Sequence, residues 1–198
     1  MAPTDIPQSV ELQKKLTELH IEQWLDEDVF HIRWWILIAL LITMFTAWLL
    51  LSDKAKMKET CLFLVLAIII MLGIDEYGEE LVLWEYPTDL IPIFPPLTSA
   101  NLISVPLAYS IAFARFPDLK RYTIAVVILT AMISFIMEPI LAWGGLYELV
   151  NWHHIFSFFN YLLVAFTVRF ASKKILDIEN KARCLGQTRN GRSEDEHH

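Results

Sequence analysis

The sequence predicts an all-α fold: a polytopic transmembrane helical bundle of five spans, N-terminus outside and C-terminus inside, with a proline-rich outer connection. Three observations predict it. Five stretches are apolar enough to sit in lipid, namely Trp34–Leu51, Cys61–Ile74 with an acidic extension, Leu97–Phe116, Tyr122–Trp143 and Trp152–Val168. About 20 helical residues cross roughly 30 Å of hydrocarbon. Of the 16 Lys and Arg, all but Lys14, Lys15 and Arg33 fall in the loops Ser52–Glu59 and Arg115–Arg121 or after Val168, the asymmetry of the positive-inside rule. Five of the seven tryptophans (Trp34, Trp35, Trp84, Trp143 and Trp152) lie at the opposite boundaries, where amphipathic rings settle at headgroup level.

Composition agrees. The chain is 55% hydrophobic with a mean hydropathy of +0.43, too apolar for an ordinary soluble domain. A net charge of −7 excludes nucleic acid as a partner, and the basic residues after the last span read as topology-setting charge near anionic headgroups. The expected location is the cell membrane, multi-pass. The expected partners are the lipid bilayer and a protein partner or second copy. Cys61 and Cys184 both fall on the inner side, a reducing compartment in which no structural disulfide is expected.

Residues 1–33 form an acidic N-terminal segment. Leu12, Leu16 and Leu19 share a helical face and Ser9 is placed to cap it, giving either an interfacial helix or a loosely ordered tail. Residues 34–176 form the membrane domain, with spans at 34–51, 58–84, 97–116, 122–143 and 152–172. In the second span Cys61–Ile74 carries no charge, and Asp75, Glu76, Glu79 and Glu80 then fall on one helical face opposite Ile74, Tyr77, Gly78 and Leu81. Such an acidic strip faces protein or water, never lipid. Pro87, Pro92, Pro95 and Pro96 bar a regular helix from Glu85–Leu97, so this connection is read as a stiff segment tucked against the outer end of the bundle. The fourth and fifth spans form a hairpin through Gly144–Asn151. Residues 177–198 are polar and are expected to form a disordered cytoplasmic tail.

The candidate functional residues come from counting depth at about 1.5 Å per residue. Asp75 lies 17 residues beyond Lys58, Glu138 lies 17 beyond Arg121, and His153 and His154 lie 16 and 15 before Arg169. Three helices therefore bring ionisable groups to one level in the outer leaflet. Glu138, inside an apolar run and followed by Pro139, has the least bland explanation, and a histidine is its simplest partner. The candidate polar cluster is Asp75, Glu76, Glu79, Glu138, His153 and His154. Ser134, Ser157 and Asn160 support it from the stripes Thr123/Thr130/Ser134/Glu138 and His153/Ser157/Asn160/Thr167. Asp75, Glu79, Glu138 and a histidine would suit a transition metal by ligand type. No His-x-x-x-His or Glu-x-x-His helical motif accompanies them, so no metal and no cofactor is assigned. No phosphate-cradling glycine loop or nucleophile elbow is present, and no catalytic residue is identified.

The run Asp75…Trp84-Glu85-Tyr86-Pro87…Pro92, then Pro106, then Glu138-Pro139…Trp143-x-Gly145-x-Tyr147, ending in Trp152 and Tyr161, resembles a group of small multi-pass membrane proteins of spore-forming Gram-positive bacteria. The resemblance covers about Thr60–Phe170, and its most specific elements are Trp-x-Tyr-Pro and Glu-Pro. It implies a fold and a location but no chemistry. The acidic N-terminal segment and the tail after Asp177 lie outside it.

The sequence thus favours a non-enzymatic role, in which a carboxylate–histidine cluster in the outer leaflet handles or senses a proton or cation. A membrane scaffold or assembly partner is the first alternative. An enzyme that modifies lipids or isoprenoids is the second, since acids beside Trp84, Tyr86, Trp143 and Trp152 suit alkene protonation and cation stabilisation.

Overall fold

The computed structural model describes residues 7–91 and 100–195, side chains excepted at 100–102 and 184–195. Helix α1 (Gln8–Gln23) runs into a π turn at Trp24–Asp28, followed by α2 (Ile32–Leu51), a 3-10 turn at Lys54–Lys56 and α3 (Met57–Glu80). A short strand β1 (Trp84–Glu85) precedes α4 (Ala100–Arg115). Helix α5 (Leu119–Met132), a π turn at Ile133–Met137 and α6 (Glu138–Trp143) run end to end, and β2 (Glu148–Leu149) leads into α7 (His154–Asp195). Among the described residues, four helical stretches are long and apolar enough to cross a membrane: Ile32–Leu51, Lys54–Glu80, Leu119–Trp143 and His154–Arg183. A fifth, Ile103–Arg115, is apolar but shorter. Residues 92–99, which hold most of the proline-rich connection and the start of the expected third span, lie outside the described residues.

The short helix α4 is the centre of the bundle, packed against α2 and α3, while α7 packs on α3 and α5. Its Val105, Tyr109, Ala112 and Phe113 meet Phe63, Ala67 and Met71 of α3, Tyr122 and Val126 of α5, and Val164, Ala165 and Val168 of α7. Several polar groups in this core are paired internally, as a bundle in hydrocarbon favours. Tyr109 and Thr130 share a hydrogen bond of 2.6 Å, Tyr122 Oη donates to the Ala165 carbonyl at 3.0 Å, and Trp48 Nε1 donates to Ser110 Oγ at 2.8 Å. Large apolar side chains such as Ile42, Ile69, Ile128, Phe159 and Leu163 point outward. A contiguous apolar exterior of this kind marks a surface made for lipid.

The basic residues at one end have a structural task besides setting charge. Lys56 Nζ donates to the Ala114 carbonyl at 3.1 Å. Arg169 donates to the carbonyls of Phe116 (3.3 Å) and Pro117 (2.7 Å), and Lys173 to that of Pro117 at 3.0 Å. These cations satisfy carbonyls at and just past the end of α4 and complement its dipole. Arg169 is buried, with its guanidinium carbon 4.0 Å from the Tyr122 ring centroid, within cation–π range.

At the other end two helices stop in the same way. In the Schellman arrangement the second residue past the last helical one takes positive φ, and two backturn bonds close the helix. After α6, Gly145 (φ 71°) occupies that position, Gly145 N–H reaches the Ala142 carbonyl and Leu146 N–H the Leu141 carbonyl. After α3, Val82 occupies it at φ 53°, with Val82 N–H on Glu79 and Leu83 N–H on Gly78. The chain then doubles back, and Trp84 lies against Gly78, where a Cβ would fall 1.9 Å from the ring. The two exits pair as an antiparallel ribbon, Trp84 opposite Leu149 and Glu85 opposite Glu148. Asn151 Nδ2 donates to the Val82 carbonyl at 3.0 Å and holds the strained residue in place.

Three expectations are corrected. The second helix ends at Glu80 rather than running to Trp84, because the Trp84–Gly78 contact needs the chain to reverse. Ser9 does not cap α1, which starts after Pro7 without a side-chain cap. Helix α7 continues to Asp195 where a disordered tail from residue 177 is expected. Glu179 supports the extension by pairing with Lys58 across the helices and with Arg183 one turn on, at 2.7 Å.

Candidate functional site

Glu138 is fully buried, with 0% of its surface exposed. Its position follows from Pro139, which has no N–H for the carbonyl one turn back. The helix absorbs the mismatch as the π turn Ile133–Met137, in which Glu138 N–H reaches the Ile133 carbonyl. Thr130 and Ser134, which share the stripe with Glu138, are fully buried with it.

The hairpin to α7 supplies the partner. His154 Nδ1 lies 2.9 Å from Glu138 Oε2. With the carboxylate ionised, the nitrogen is the donor; with the acid protonated, a neutral imidazole accepts instead. The pair therefore holds together in either charge state. His153 is exposed and packs edge-on against Phe156 at 5.8 Å, so the stripe His153/Ser157/Asn160/Thr167 is not one inward face. Ser157 is buried and Asn160 half-buried, but Thr167, like His153, is exposed. The inward face is offset by one residue: His154, Ser157 and Tyr161. Ser157 and Tyr161 turn their hydroxyls toward the carboxylate without meeting Oε1 in hydrogen-bond geometry, and Oε1 has no hydrogen-bond partner among the described residues.

The acidic strip on α3 divides. Glu76 and Glu80 are exposed, whereas Asp75 and Glu79 are half-buried. Asp75 Oδ1 accepts a hydrogen bond from Tyr86 Oη at 2.8 Å. Glu79 stands in the field of Asp75, Glu85 and Asp89, which makes this approach to the site strongly acidic. Between α3, the ribbon and α7 is a cavity of about 20 Å³ lined by Asp75, Tyr86, Tyr147, Ser157, Asn160 and Tyr161. That volume holds about one water molecule. Trp84 also lines it, and the buried Nε1 of that ring has no partner among the described residues. Trp152 Nε1 donates to Ser157 Oγ at 3.1 Å. Burial, reinforced by the charges of Glu138 and Asp75, pushes the Tyr147 phenol far above its usual range, so it remains protonated.

The N-terminal segment covers this same end of the bundle. Trp24 Nε1 donates to the Asp89 carbonyl at 3.0 Å and Trp34 Nε1 to the Leu90 carbonyl at 3.3 Å, while Asp28 Oδ2 accepts from Asp89 N–H at 3.3 Å. Asp28 is buried, and desolvation raises its pKa against the lowering effect of that hydrogen bond.

The structure thus brings together Glu138, His154, Ser157 and Asn160 with Asp75 close by, and keeps His153 and Glu76 apart from them. Three tyrosines complete the site and are absent from the candidate set. Tyr86 and Tyr147 read in sequence as interfacial anchors, and their partners become visible only when the ribbon folds. Tyr161 does carry a signal, because residues 154, 157 and 161 recur at helical spacing on one face. Among the described residues, no three His, Cys, Asp or Glu side chains are grouped so as to hold a metal ion. Comparison of this chain with protein-family models, with curated proteins and with solved structures finds no match.

Proposed function

We propose that this is a five-span membrane protein whose conformation responds to protons through the buried Glu138–His154 pair. The observation that carries the reading is a carboxylate with 0% exposure, one oxygen 2.9 Å from an imidazole nitrogen and the other without a hydrogen-bond partner among the described residues. Burying an ionisable group in this way is costly unless it is paired or protonated. Its protonation state is therefore coupled to the arrangement of the helices around it. The kink at the π turn and Pro139 gives that coupling a mechanical element beside the charge.

In this reading α4 is the third crossing and the N-terminus is outside. Support comes from Lys56, Arg169 and Lys173, which gather at one end of the bundle, and from the ribbon with Trp84 and Trp152 at the other. Reporter fusions after Gly145 and after Lys174 are expected outside and inside respectively; the reverse pattern would overturn the orientation.

The functional test is a pH profile of the full chain in lipid nanodiscs, followed by tryptophan emission. Trp84 and Trp152 adjoin the site, so the wild type is expected to show a pH-dependent spectral transition. Glu138→Gln, which keeps shape and removes ionisation, is expected to abolish it while leaving the fold intact. A transition unchanged in Glu138→Gln would remove the proton reading and leave a membrane scaffold as the better account.

A further inference from the structure

The cavity between α3, the ribbon and α7 separates two carboxylates that the chain has placed on different helices. Asp75 lines it directly. Glu138 does not, but Ser157 and Tyr161 line it and also face Glu138. Ser157 is the better built of the two for passing a proton. Trp152 Nε1 occupies one of its lone pairs, and its hydrogen and second lone pair are turned to the groups it faces, Glu138 and the Tyr147 hydroxyl. The buried Trp84 Nε1, which lines the cavity and has no partner among the described residues, is the kind of group expected beside a bound water. A polar cavity of about 20 Å³ holds about one.

We infer that this cavity is a single-water proton relay joining Asp75, and through it the acidic outer face of α3, to the Glu138–His154 pair. The inference rests on the proton-responsive reading of that pair and adds its route of supply. Protonated Asp75 gives its proton to the water, and the water passes one of its own to Ser157 Oγ. The hydroxyl accepts that proton and releases its original one to Glu138. Asp75 ends as a carboxylate and Glu138 as an acid, with water and serine unchanged. The groups facing Glu138 are His154 and Tyr161 on α7, Tyr147 in the outer turn, Tyr109 on α4 and, at longer range, Asp75 on α3. Those facing Asp75 are Glu79, Tyr86, Tyr147 and Tyr161. None of the tyrosines need ionise, since each serves as a neutral donor.

The test is infrared titration of the full chain in nanodiscs, with the Glu138 carboxylic C=O band assigned as the band lost in Glu138→Gln. Asp75→Asn is expected to move the midpoint of that band by about one pH unit, the scale at which two sites titrate as a pair. Ser157→Ala is expected to slow hydrogen–deuterium exchange of the Glu138 carboxyl by about tenfold or more, as loss of a proton-transfer group does. If Ser157→Ala fails to fold, Tyr86→Phe serves as the second variant, because it leaves Asp75 present but loosens its hold, and the midpoint is expected to shift there too. A Glu138 midpoint unchanged in Asp75→Asn, with the band still lost in Glu138→Gln, overturns the relay and leaves the buried pair standing. A midpoint that is absent in the wild type overturns both.

Discussion

The Glu138–His154 pair makes a quantitative prediction through a double-mutant cycle. His154→Ala strips Oε2 of its partner while Oε1 already has no hydrogen-bond partner among the described residues, so an ionised Glu138 keeps only the facing hydroxyls of Ser157 and Tyr161. Orphaning a buried charge typically costs about 3–5 kcal/mol. The lower end applies here, because His154 is 31% exposed and water refills part of its place. Glu138→Ala removes the charge and leaves Nδ1 without a partner beside a small void, a loss of about 2 kcal/mol for an unmade hydrogen bond at a site open to solvent on one side. The double variant is expected to lose about 3 kcal/mol rather than the additive 5, a coupling of about 2 kcal/mol and within the range for contacting residues. The assay is reversible denaturant titration in bicelles, followed by tryptophan emission at two pH values. The His154→Ala loss should shrink as pH falls, because a proton on Glu138 replaces the missing partner. Additivity within about 0.5 kcal/mol, or a His153→Ala variant that matches His154→Ala, would refute the pairing and its burial.

Val82→Gly should raise stability by about 1 kcal/mol, since the left-handed backbone at φ 53° disfavours a β-branched residue by about that amount and glycine carries no such cost; an unchanged denaturation midpoint would refute the strain. Gly78→Ala should lower stability by about 1–3 kcal/mol, the usual cost of overpacking, and shift tryptophan emission, because the new Cβ falls 1.9 Å from the Trp84 ring; an unshifted spectrum would show that the ring does not lie there. Asp28 titrates above its ordinary value because burial disfavours its charge. Its contribution to stability is therefore fully present below the unfolded-state pKa and lost as pH rises through the folded-state one. Asp28→Asn should flatten that part of the pH–stability profile, and an unaltered profile in the acid range would refute the burial.

The membrane character of this chain was settled before any folding, because it depends on terms summed over residues. Apolar stretches of span length, basic residues confined to alternate loops and tryptophans at the other boundary each act through transfer energies that need no tertiary partner. Glu138 was legible for the same reason: a carboxylate in an apolar run is anomalous wherever its helix packs. Its partner was legible only to within a residue. His153 and His154 differ by about 100° around the helix, and the choice between them was made by how α7 leaves the ribbon at Asn151. That exit depends on Val82 and Gly145, whose positive φ values close two helices far apart in sequence and bring Trp84 beside Leu149. Local propensity gives a valine no reason to sit there, and only pairing with the other exit holds it. Tyr86 and Tyr147 entered the site by the same route: alone each is an amphipathic ring suited to an interface, and what their hydroxyls reach is decided by three elements meeting around one water-sized cavity.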